Sequence, residues 1–348
     1  MRVSRLFIDP NPPNMLNFSM PSRDIRTCFV TGGTGFIGSH LVDHLLQSGC
    51  EVRCLVRDRT RLRWLQGKPV TIFEGDLDAE KVISKAASDT DAVFHLAGLT
   101  AAGSREVYRE VNARGCRSVA TASLAAVHPP GVFVYLSSLA AVGPGRSDEV
   151  VAENRIPQPV TEYGRSKLEG ERFLKEMGPL PLVVVRPPAV YGPRDREIFP
   201  LFKLASRGIF PVFNPDSRIS LIHVQDLIRG VVGAAQDGRV GETYFLTHPV
   251  PVDALDLPRF FGEALGRKVR GFRIPVPLLK GAAALSETWG RITGNMPVFN
   301  SDKVRELTAA GWVCNWEKAQ KEFSFKAEMG LDQGLLGTAD WYRTQGWL

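Results

Sequence analysis

The stretch Thr31-Gly32-Gly33-Thr34-Gly35-Phe36-Ile37-Gly38 decides the fold of this chain. It follows a short apolar run at residues 27–30, which is typical of a buried parallel strand. After it, apolar residues recur at helical spacing from Ile37 to Leu46, and Gly49 predicts the end of that helix. Glu51–Val56 predicts a second strand. The glycines therefore lie at the turn of a strand–turn–helix–strand unit, the context in which such a turn binds a dinucleotide.

Each glycine of this turn has a predicted task. Gly32 allows the sharp turn, Gly35 allows the backbone to approach a pyrophosphate, and Gly38 allows the helix to pack against the strand. The free N–H groups at the helix start, together with its dipole, are then able to receive the anion. The alternative is a glycine-rich turn that binds nothing.

Composition and charge are those of an ordinary globular protein. The 348 residues suffice for one large α/β domain and a smaller part, with 44% hydrophobic and 23% charged residues. The net charge of +6 is spread over the chain, with only weak basic clusters at 53–63 and 259–273, so no nucleic-acid partner is predicted. No apolar run reaches the length of a membrane span.

The cysteines and the N-terminus indicate the cellular compartment. The five cysteines show neither metal-ligand spacing nor a disulfide framework, which favours a reducing, cytoplasmic setting. Residues 1–23 lack the continuous apolar core of a secretory signal, so we expect a flexible N-terminal lead-in, with Met20 as an alternative start.

Strands and helices alternate along the first two-thirds of the chain. Further strands are expected at 70–73, 92–96, 132–136 and 182–186, with helices at 80–88, 104–127 and 161–177 between them. This rhythm predicts a doubly wound parallel sheet, whose ligands bind beyond the carboxyl ends of its strands. We expect a dinucleotide-binding domain at 24–193, to which 223–248 return. Residues 194–222 and 249–348 would form a smaller, discontinuous substrate-binding part.

Tyr163 and Lys167 place a phenol and an ammonium on one helical face, an arrangement suited to proton transfer. Acting near neutrality would require lowering a phenol pKa near 10 by about three units, or roughly 4 kcal/mol. An ammonium about 4 Å away at an effective dielectric near 20 supplies a similar amount. Together with Ser138 at the end of a predicted strand, the pair predicts an active site.

A series of motifs between residues 25 and 250 carries a family resemblance. They are Thr31–Gly38 as TGxxGxxG, Gly75-Asp76-Leu77, His95-Leu96-Ala97-Gly98, Val111-Asn112, Ser137-Ser138, Tyr163xxxLys167, Arg186-Pro187-Pro188-Ala189-Val190-Tyr191-Gly192-Pro193 and His223-Val224-Gln225-Asp226-Leu227. In this order they resemble the extended short-chain dehydrogenases/reductases, the NAD(P)-dependent epimerase/dehydratase group. The resemblance implies a Rossmann-type sheet with a C-terminal substrate-binding cap.

The resemblance also implies roles for individual residues. Tyr163 would be the general acid/base, Ser138 would donate a hydrogen bond to the reacting oxygen, and Lys167 would hold the nicotinamide ribose and lower the pKa of Tyr163. Asn112, counted with the catalytic residues, would support the active-site helix or a water, or would simply be a polar contact inside its helix. The residues expected to contact the cofactor are Thr31, Gly32, Gly33, Thr34, Gly35, Phe36, Ile37, Gly38, Arg57, Asp76, Leu77, Ala97, Gly98, Tyr163, Lys167 and Pro187.

The choice of cofactor depends on the end of the second strand. NAD enzymes usually carry an acid there for the ribose 2′-hydroxyl, whereas this chain has Val56 followed by Arg57. The fixed donors of an arginine suit a 2′-phosphate. NADP(H) is therefore favoured, and NAD(H) stays open because Asp58 lies one position later.

The substrate is expected to be a largely apolar alcohol or ketone. Sugar-nucleotide relatives carry an Asn where this chain has Ala189, and a Gly-Asp-Gly-x-x-Arg stretch where it has Asn214-Pro-Asp-Ser-Arg218. The pattern resembles the branch of hydroxysteroid dehydrogenases and dihydroflavonol reductases. A nucleotide-sugar epimerase/dehydratase is the alternative, with Arg218, Arg194 or Arg196 on the diphosphate. The third possibility is a catalytically silent dinucleotide-binding protein.

Aromatic residues of the cap and one predicted helix are the candidates for an apolar pocket. They are Phe199, Phe202, Phe210, Phe213 and the amphipathic helix 276–289, with packing in the cap core as the alternative. The sequence leaves homodimerisation open.

Overall fold

A computed structural model describes residues 22–293 and 299–348. The predicted lead-in at 1–23 thus lies almost wholly outside the described residues. Arg23, at its end, belongs to the fold, since its guanidinium donates to the carbonyl oxygens of Ala235 and Gly238, each over 2.9 Å.

Alternating apolar runs and turns produce strands that are mostly short. In chain order they are β1 Thr27–Thr31, β2 Glu51–Val56, β3 Thr71–Glu74, β4 Ala92–His95, β5 Val132–Leu136, β6 Leu182–Arg186, β7 Ala189–Tyr191, β8 Ile209–Val212, β9 Arg218–Ile219, β10 Leu221–His223, β11 Thr243–Phe245, β12 Val252–Asp253, β13 Arg270–Arg273 and β14 Gly311–Trp312.

The helices fall between these strands and at the C-terminus. They are α1 Phe36–Gln47, α2 Glu80–Ala87, α3 Arg105–Arg109, α4 Gly115–Leu124, α5 Glu162–Glu176, α6 Phe199–Ala205, α7 Val224–Gln236, α8 Leu257–Leu265, α9 Val276–Thr293, α10 Ser301–Thr308, α11 Glu317–Phe323 and α12 Leu331–Thr344. A π-helical turn, Glu110–Arg114, joins α3 to α4.

Seven parallel strands form the main sheet, in the order β11-β6-β5-β4-β1-β2-β3. The strand order reverses between β1 and β4, as in dinucleotide-binding sheets, so a crevice opens beyond the carboxyl ends of these two strands. The prediction of a doubly wound parallel sheet is confirmed.

Two apolar layers cover this sheet. Leu41 and Val42 of α1 and Leu227 and Val231 of α7 pack on one face. On the other face α2, α4 and α5 contribute Ile83, Ala86, Cys116, Val119 and Leu174. Both faces of the central strands are therefore buried, which explains why those strands read as continuous apolar runs.

The C-terminal part has its own core, built on α6, α8 and α12. Phe202, Phe210 and Phe261 are buried there against Tyr342. Beside it, β8 pairs in parallel with β13, and β9 lies between β12 and β14. No helix within the described residues is long and apolar enough to cross a membrane.

Candidate active site

The glycine turn lies at the end of β1, against the end of β4. Gly32 has φ +77°, and a Cβ there would lie 2.7 Å from the backbone nitrogen of Ala97. A Cβ on Gly38 would lie 2.1 Å from the carbonyl oxygen of Gly32. Both positions therefore exclude side chains, as the sequence predicted.

The start of α1 faces this turn without a side-chain acceptor. Gly35 is the N-cap, makes no side-chain capping bond, and no acid occupies the first helical turn. The leading N–H groups of α1 thus suit an anion. Thr34, Phe36 and Ile37 lie within the turn and the first turn of the helix.

Thr31 has a structural task that sequence reasoning missed. Its side chain is buried, lies 2.7 Å from Nδ1 of His95, and accepts from the N–H of Ala97 over 3.3 Å. The hydroxyl therefore joins the ends of β1 and β4, and it places Ala97 and Gly98 beside the glycine turn.

Two neighbouring charged residues at the end of β2 have different surroundings. Arg57 is exposed and forms no ion pair with any described residue. The Asp58 carboxylate accepts from the N–H and hydroxyl of Thr60 over 2.8 and 2.6 Å, and these bonds lower its pKa. Asp58 thus caps a local turn, whereas the guanidinium of Arg57 is available to a ligand.

The other predicted adenine-side residues follow β3. The carboxylate of Asp76 accepts from the backbone N–H of Asp78 over 3.1 Å. The side chain of Leu77 packs against Gly115, where a Cβ would approach it to 2.7 Å.

Ser138, Tyr163 and Lys167 are brought together where β5 meets α5. Thr161 caps α5 by accepting from the N–H of Gly164 over 3.0 Å, which fixes the first turn that carries Tyr163. Ser138 lies close enough to the Tyr163 phenol to lower its pKa. The ammonium of Lys167 lies 4.5 Å from the centroid of the Tyr135 ring, a cation–π contact.

The same groups face the glycine-turn side of the crevice. A Cβ on Gly98 would lie 3.6 Å from Nζ of Lys167. The Pro187 carbonyl accepts from the N–H of Leu139 over 2.8 Å, which holds the end of β6 beside Ser138. The crevice therefore combines an anion-binding turn, a close backbone approach and an acid/base group, a combination that fits a nicotinamide dinucleotide.

Burial controls the protonation of both titratable groups. It raises the pKa of Tyr163; the hydrogen bond from Ser138 opposes this shift, and the carboxylates of Glu197 and Glu306 add to it. Burial lowers the pKa of Lys167 to about 8, against the opposing effects of Cys116 and Glu171. Burial thus shifts the pKa of the half-buried Tyr163 upward, opposite in direction to the lowering predicted from Lys167, and Lys167 is not among the causes of this shift.

Asn112 is a positioning residue. It lies in the π-helical turn, where its amide oxygen accepts from the N–H of Leu99 over 2.8 Å. Its amide nitrogen donates to the carbonyl of Leu99 over 2.9 Å and to the Ser166 hydroxyl over 3.0 Å. The side chain thus links the loop after β4 to α5.

A buried ion pair beneath the site was missed by sequence reasoning. Glu171 and Arg186 are joined by two hydrogen bonds of 2.8 and 2.5 Å, and Ser137 donates to the same carboxylate over 2.5 Å. Glu171 lies one helical turn after Lys167 and therefore on the same face of α5. This spacing could have predicted that Glu171 is buried beneath the site.

The arginines considered as diphosphate ligands are engaged elsewhere. Arg218 pairs with Asp253 at 3.4 Å. Arg194 pairs with Asp43 of α1 at 2.8 Å, and the guanidinium of Arg196 lies 5.3 Å from the centroid of the Trp347 ring. Ala189 is exposed at the start of β7.

The predicted apolar pocket is not formed by the cap phenylalanines. Phe202 and Phe210 are fully buried in the cap core, Phe199 packs at its edge, and Phe213 is partly buried against a second small cluster. The pocket prediction is wrong for Phe202 and Phe210, because their side chains are buried in the core of the cap.

Known proteins share this architecture over most of the chain. A model of the NAD dependent epimerase/dehydratase family matches residues 28–246. The ceramide reductase of Caulobacter vibrioides is 33% identical over 331 residues, covering 92% of this chain and 95% of that protein. The 4-hydroxy-2-methyl-3-oxo-4-farnesyl-3,4-dihydroquinoline-1-oxide ketoreductase of Stigmatella aurantiaca is 28% identical, covering 88% and 94%.

A solved structure shows the same fold. The dTDP-glucose 4,6-dehydratase DesIV of Streptomyces venezuelae, in a crystal structure with NAD bound, superposes with a TM-score of 0.74 at 21% identity, covering 92% of this chain and 98% of that one. At this identity the likeness concerns the fold alone.

Proposed function

Because this chain belongs to the NAD dependent epimerase/dehydratase family, we propose that it is an NADP(H)-linked reductase of a ketone in a neutral, long-chain lipid. The observation that carries the proposal is the geometry of the crevice: Thr161 caps the turn of α5 that carries Tyr163, and Nζ of Lys167 lies 3.6 Å from a Cβ built on Gly98. Burial also raises the pKa of Tyr163, which favours the phenol as the acid of a ketone reduction over the phenolate as the base of an alcohol oxidation.

The protein groups have distinct tasks in this reduction. Ser138 and Tyr163 hydrogen-bond the ketone oxygen, and Tyr163 donates its proton to that oxygen as the carbonyl carbon accepts a hydride. A bound reduced nicotinamide would supply this hydride. Lys167 would hold the nicotinamide ribose, while Asn112 holds α5 through its bond to Ser166. The ketone would leave as the alcohol.

Electrostatics at the phenol support a neutral substrate. Glu197 and Glu306 lie close enough to Tyr163 to raise its pKa. Such carboxylates repel the diphosphate of a nucleotide sugar but accept hydrogen bonds from hydroxyl and amide donors. Arg194 and Arg218 are already paired with acids. The ceramide reductase that resembles this chain is named for a lipid of this kind.

Arg57 supports NADP(H) as the cofactor. Its guanidinium is exposed at the end of β2 with no acidic partner among the described residues, while the neighbouring Asp58 is bound by Thr60. A 2′-phosphate would give this guanidinium a charge-assisted partner.

The cysteines support placing the enzyme in a reducing, cytoplasmic compartment. All five are free thiols, and four of them are buried. Buried, unpaired thiols of this kind behave as small apolar side chains.

Turnover of defined compounds tests the proposal. The protein is mixed with NADPH and either the ketone form of a ceramide, a steroid ketone or UDP-glucose, and the loss of nicotinamide absorbance is followed. We expect turnover of the long-chain ketone, and no turnover of UDP-glucose. The Tyr163→Phe variant is the matched control for enzyme-dependent signal. Turnover or micromolar binding of UDP-glucose would overturn the lipid proposal in favour of the nucleotide-sugar alternative.

A further inference from the structure

Helix α9 exposes an apolar stripe. Leu278 and Leu285 are 65% and 74% exposed, and Trp289, at 67%, continues the same line. The spacing of seven and four residues places the three side chains on one face of the helix. Leu279 and Ala283 lie on a different face and are buried against Val304 of α10. The predicted helix 276–289 thus has one packed edge and one apolar edge toward solvent.

A basic segment leads into this helix. Residues 266–286 contain five basic residues and no acid, and Glu287 follows between Leu285 and Trp289. Lys268, Arg270, Arg273 and Lys280 are all exposed, and none forms an ion pair with another described residue. Strand β13, which carries two of them, ends three residues before α9 begins and also exposes Phe272. An open groove between α8 and β13 is lined by Lys268 and Arg273.

We propose that α9 and β13 form a docking surface for an anionic lipid bilayer. Exposed Leu and Trp beside unpaired Lys and Arg are the chemistry of a helix that lies in the bilayer interface. Apolar side chains enter the acyl boundary while the cations meet lipid phosphates. We define the docking surface as Arg270, Phe272, Arg273, Leu278, Leu285 and Trp289.

Charge disfavours a second copy of the chain as the occupant. An isologous contact between two copies would bring the same patch, with its unpaired cations, face to face. Like charges opposed in this way repel each other. An anionic surface instead complements these cations.

The docking surface lies one helix away from the candidate active site. α9 packs on α10, and the Asp302 carboxylate of α10 accepts from the N–H of Glu162 over 2.6 Å, next to Tyr163. Binding at α9 would therefore bring the cap side of the site to the bilayer. The inference goes beyond the proposed function and does not depend on which substrate is reduced.

Vesicle sedimentation without substrate tests the docking surface. The full chain is mixed with vesicles of pure phosphatidylcholine or of phosphatidylcholine with phosphatidylglycerol in equal parts. We expect binding to the anionic vesicles, and Leu278→Ser with Leu285→Ser should weaken it at least ~10-fold. Substituting Arg270 and Arg273 by Gln should weaken it roughly fivefold per cation.

A matched variant controls for loss of exposed apolar surface in general. Val127 and Ile156 are 82% and 78% exposed, far from this segment of the sequence, so Val127→Ser with Ile156→Ser should leave vesicle binding unchanged. Cofactor binding by each variant reports that it is folded.

Three outcomes would overturn the inference. They are absence of binding to anionic vesicles, equal binding to both vesicle types, and a concentration-dependent dimer that only the Leu278/Leu285 variant loses. Because no step of this test uses turnover, failure of the docking surface and failure of the proposed function are distinguishable.

Discussion

The side-chain amide of Asn112 donates to the hydroxyl of Ser166 over 3.0 Å, and Ser166 lies between Tyr163 and Lys167 on α5. The same amide group forms two bonds to the backbone of Leu99, in the loop that follows β4. α5 is therefore held to the loop beside Gly98, so Tyr163 and Lys167 keep a constant position relative to the crevice.

Tyr163→Phe is expected to abolish most turnover while leaving cofactor affinity nearly unchanged. The variant loses the phenolic proton but retains Lys167 and the glycine turn. Losing a positioned acid should lower kcat at least ~100-fold. Single-turnover absorbance and cofactor titration measure the two effects separately.

Tyr108→Phe is the matched control for the loss of a phenol near the site. The Tyr108 ring lies 6.3 Å from that of Tyr163, but its hydroxyl donates to the carbonyl of Thr100 over 3.1 Å. A drop in kcat for Tyr108→Phe as large as for Tyr163→Phe would contradict the assignment of the acid.

Arg57→Ala is expected to remove most of a preference for NADPH over NADH. A charge-assisted contact with the 2′-phosphate is worth roughly 1.5–3 kcal/mol, or about ten- to a hundredfold in affinity. The variant should bind NADPH that much more weakly and NADH unchanged, as measured by fluorescence titration of both cofactors.

Arg59→Ala is the matched control for this prediction. Its guanidinium is already engaged by Glu74 at 3.4 Å and by the Ile72 carbonyl over 2.8 Å, so the cofactor preference should persist. Equal affinity of the unmutated protein for NADPH and NADH would refute the role of Arg57 and would point to Asp58 as a ribose ligand.

Lys167 should make stability increase with pH above about 8. Burial lowers its pKa from 10.5 to about 8 in the folded state. Below pH 8 Lys167 is protonated in both the folded and the unfolded chain, and burying this charge destabilises the folded protein. Between about 8 and 10.5 only the unfolded chain keeps the proton, so the free energy of unfolding rises, by up to ~3 kcal/mol.

The free energy of unfolding, measured in urea from about pH 7 to pH 10, checks this predicted rise in stability. The wild type should gain stability relative to Lys167→Met over this range, while Lys326→Met, at an exposed lysine, should follow the wild type. Parallel pH curves for wild type and Lys167→Met would show that the ammonium is not buried as described.

Glu171→Gln should be among the most destabilising single substitutions in the site. Glu171 and Arg186 have side chains only 2% and 4% exposed, so the variant leaves a buried guanidinium without its counter-charge. The expected loss is about 3–5 kcal/mol of unfolding free energy. Because Glu171 also raises the pKa of Lys167, that pKa should fall further below 8.

Asp340→Asn provides the comparison with an exposed ion pair. Asp340 pairs with Arg343 on α12 at 2.7 Å, with side chains 59% and 43% exposed. Its loss should cost less than about 1 kcal/mol. If both variants lose the same amount in chemical denaturation, burial does not govern the Glu171–Arg186 pair.

The amino-acid sequence by itself determined the parallel sheet, the glycine turn and the group Ser138, Tyr163 and Lys167. These features depend on local patterns: apolar runs, glycine spacing, and residues one helical turn apart. The family motifs could also be recognised from the sequence, because a motif is a set of residues in a fixed order along the chain. The strand and helix bounds from β1 to β6 agree with these patterns within a few residues.

Only the tertiary structure decided how those residues are charged and supported. The pKa of Tyr163 rises because elements far apart in sequence bury it and place Glu197 and Glu306 nearby. Arg218 finds Asp253 across a strand pair, and Phe202 enters the cap core. The exposure of the α9 stripe likewise depends on which face of that helix meets α10. Burial and long-range pairing follow from how distant segments pack, and no local spacing in the sequence records that packing.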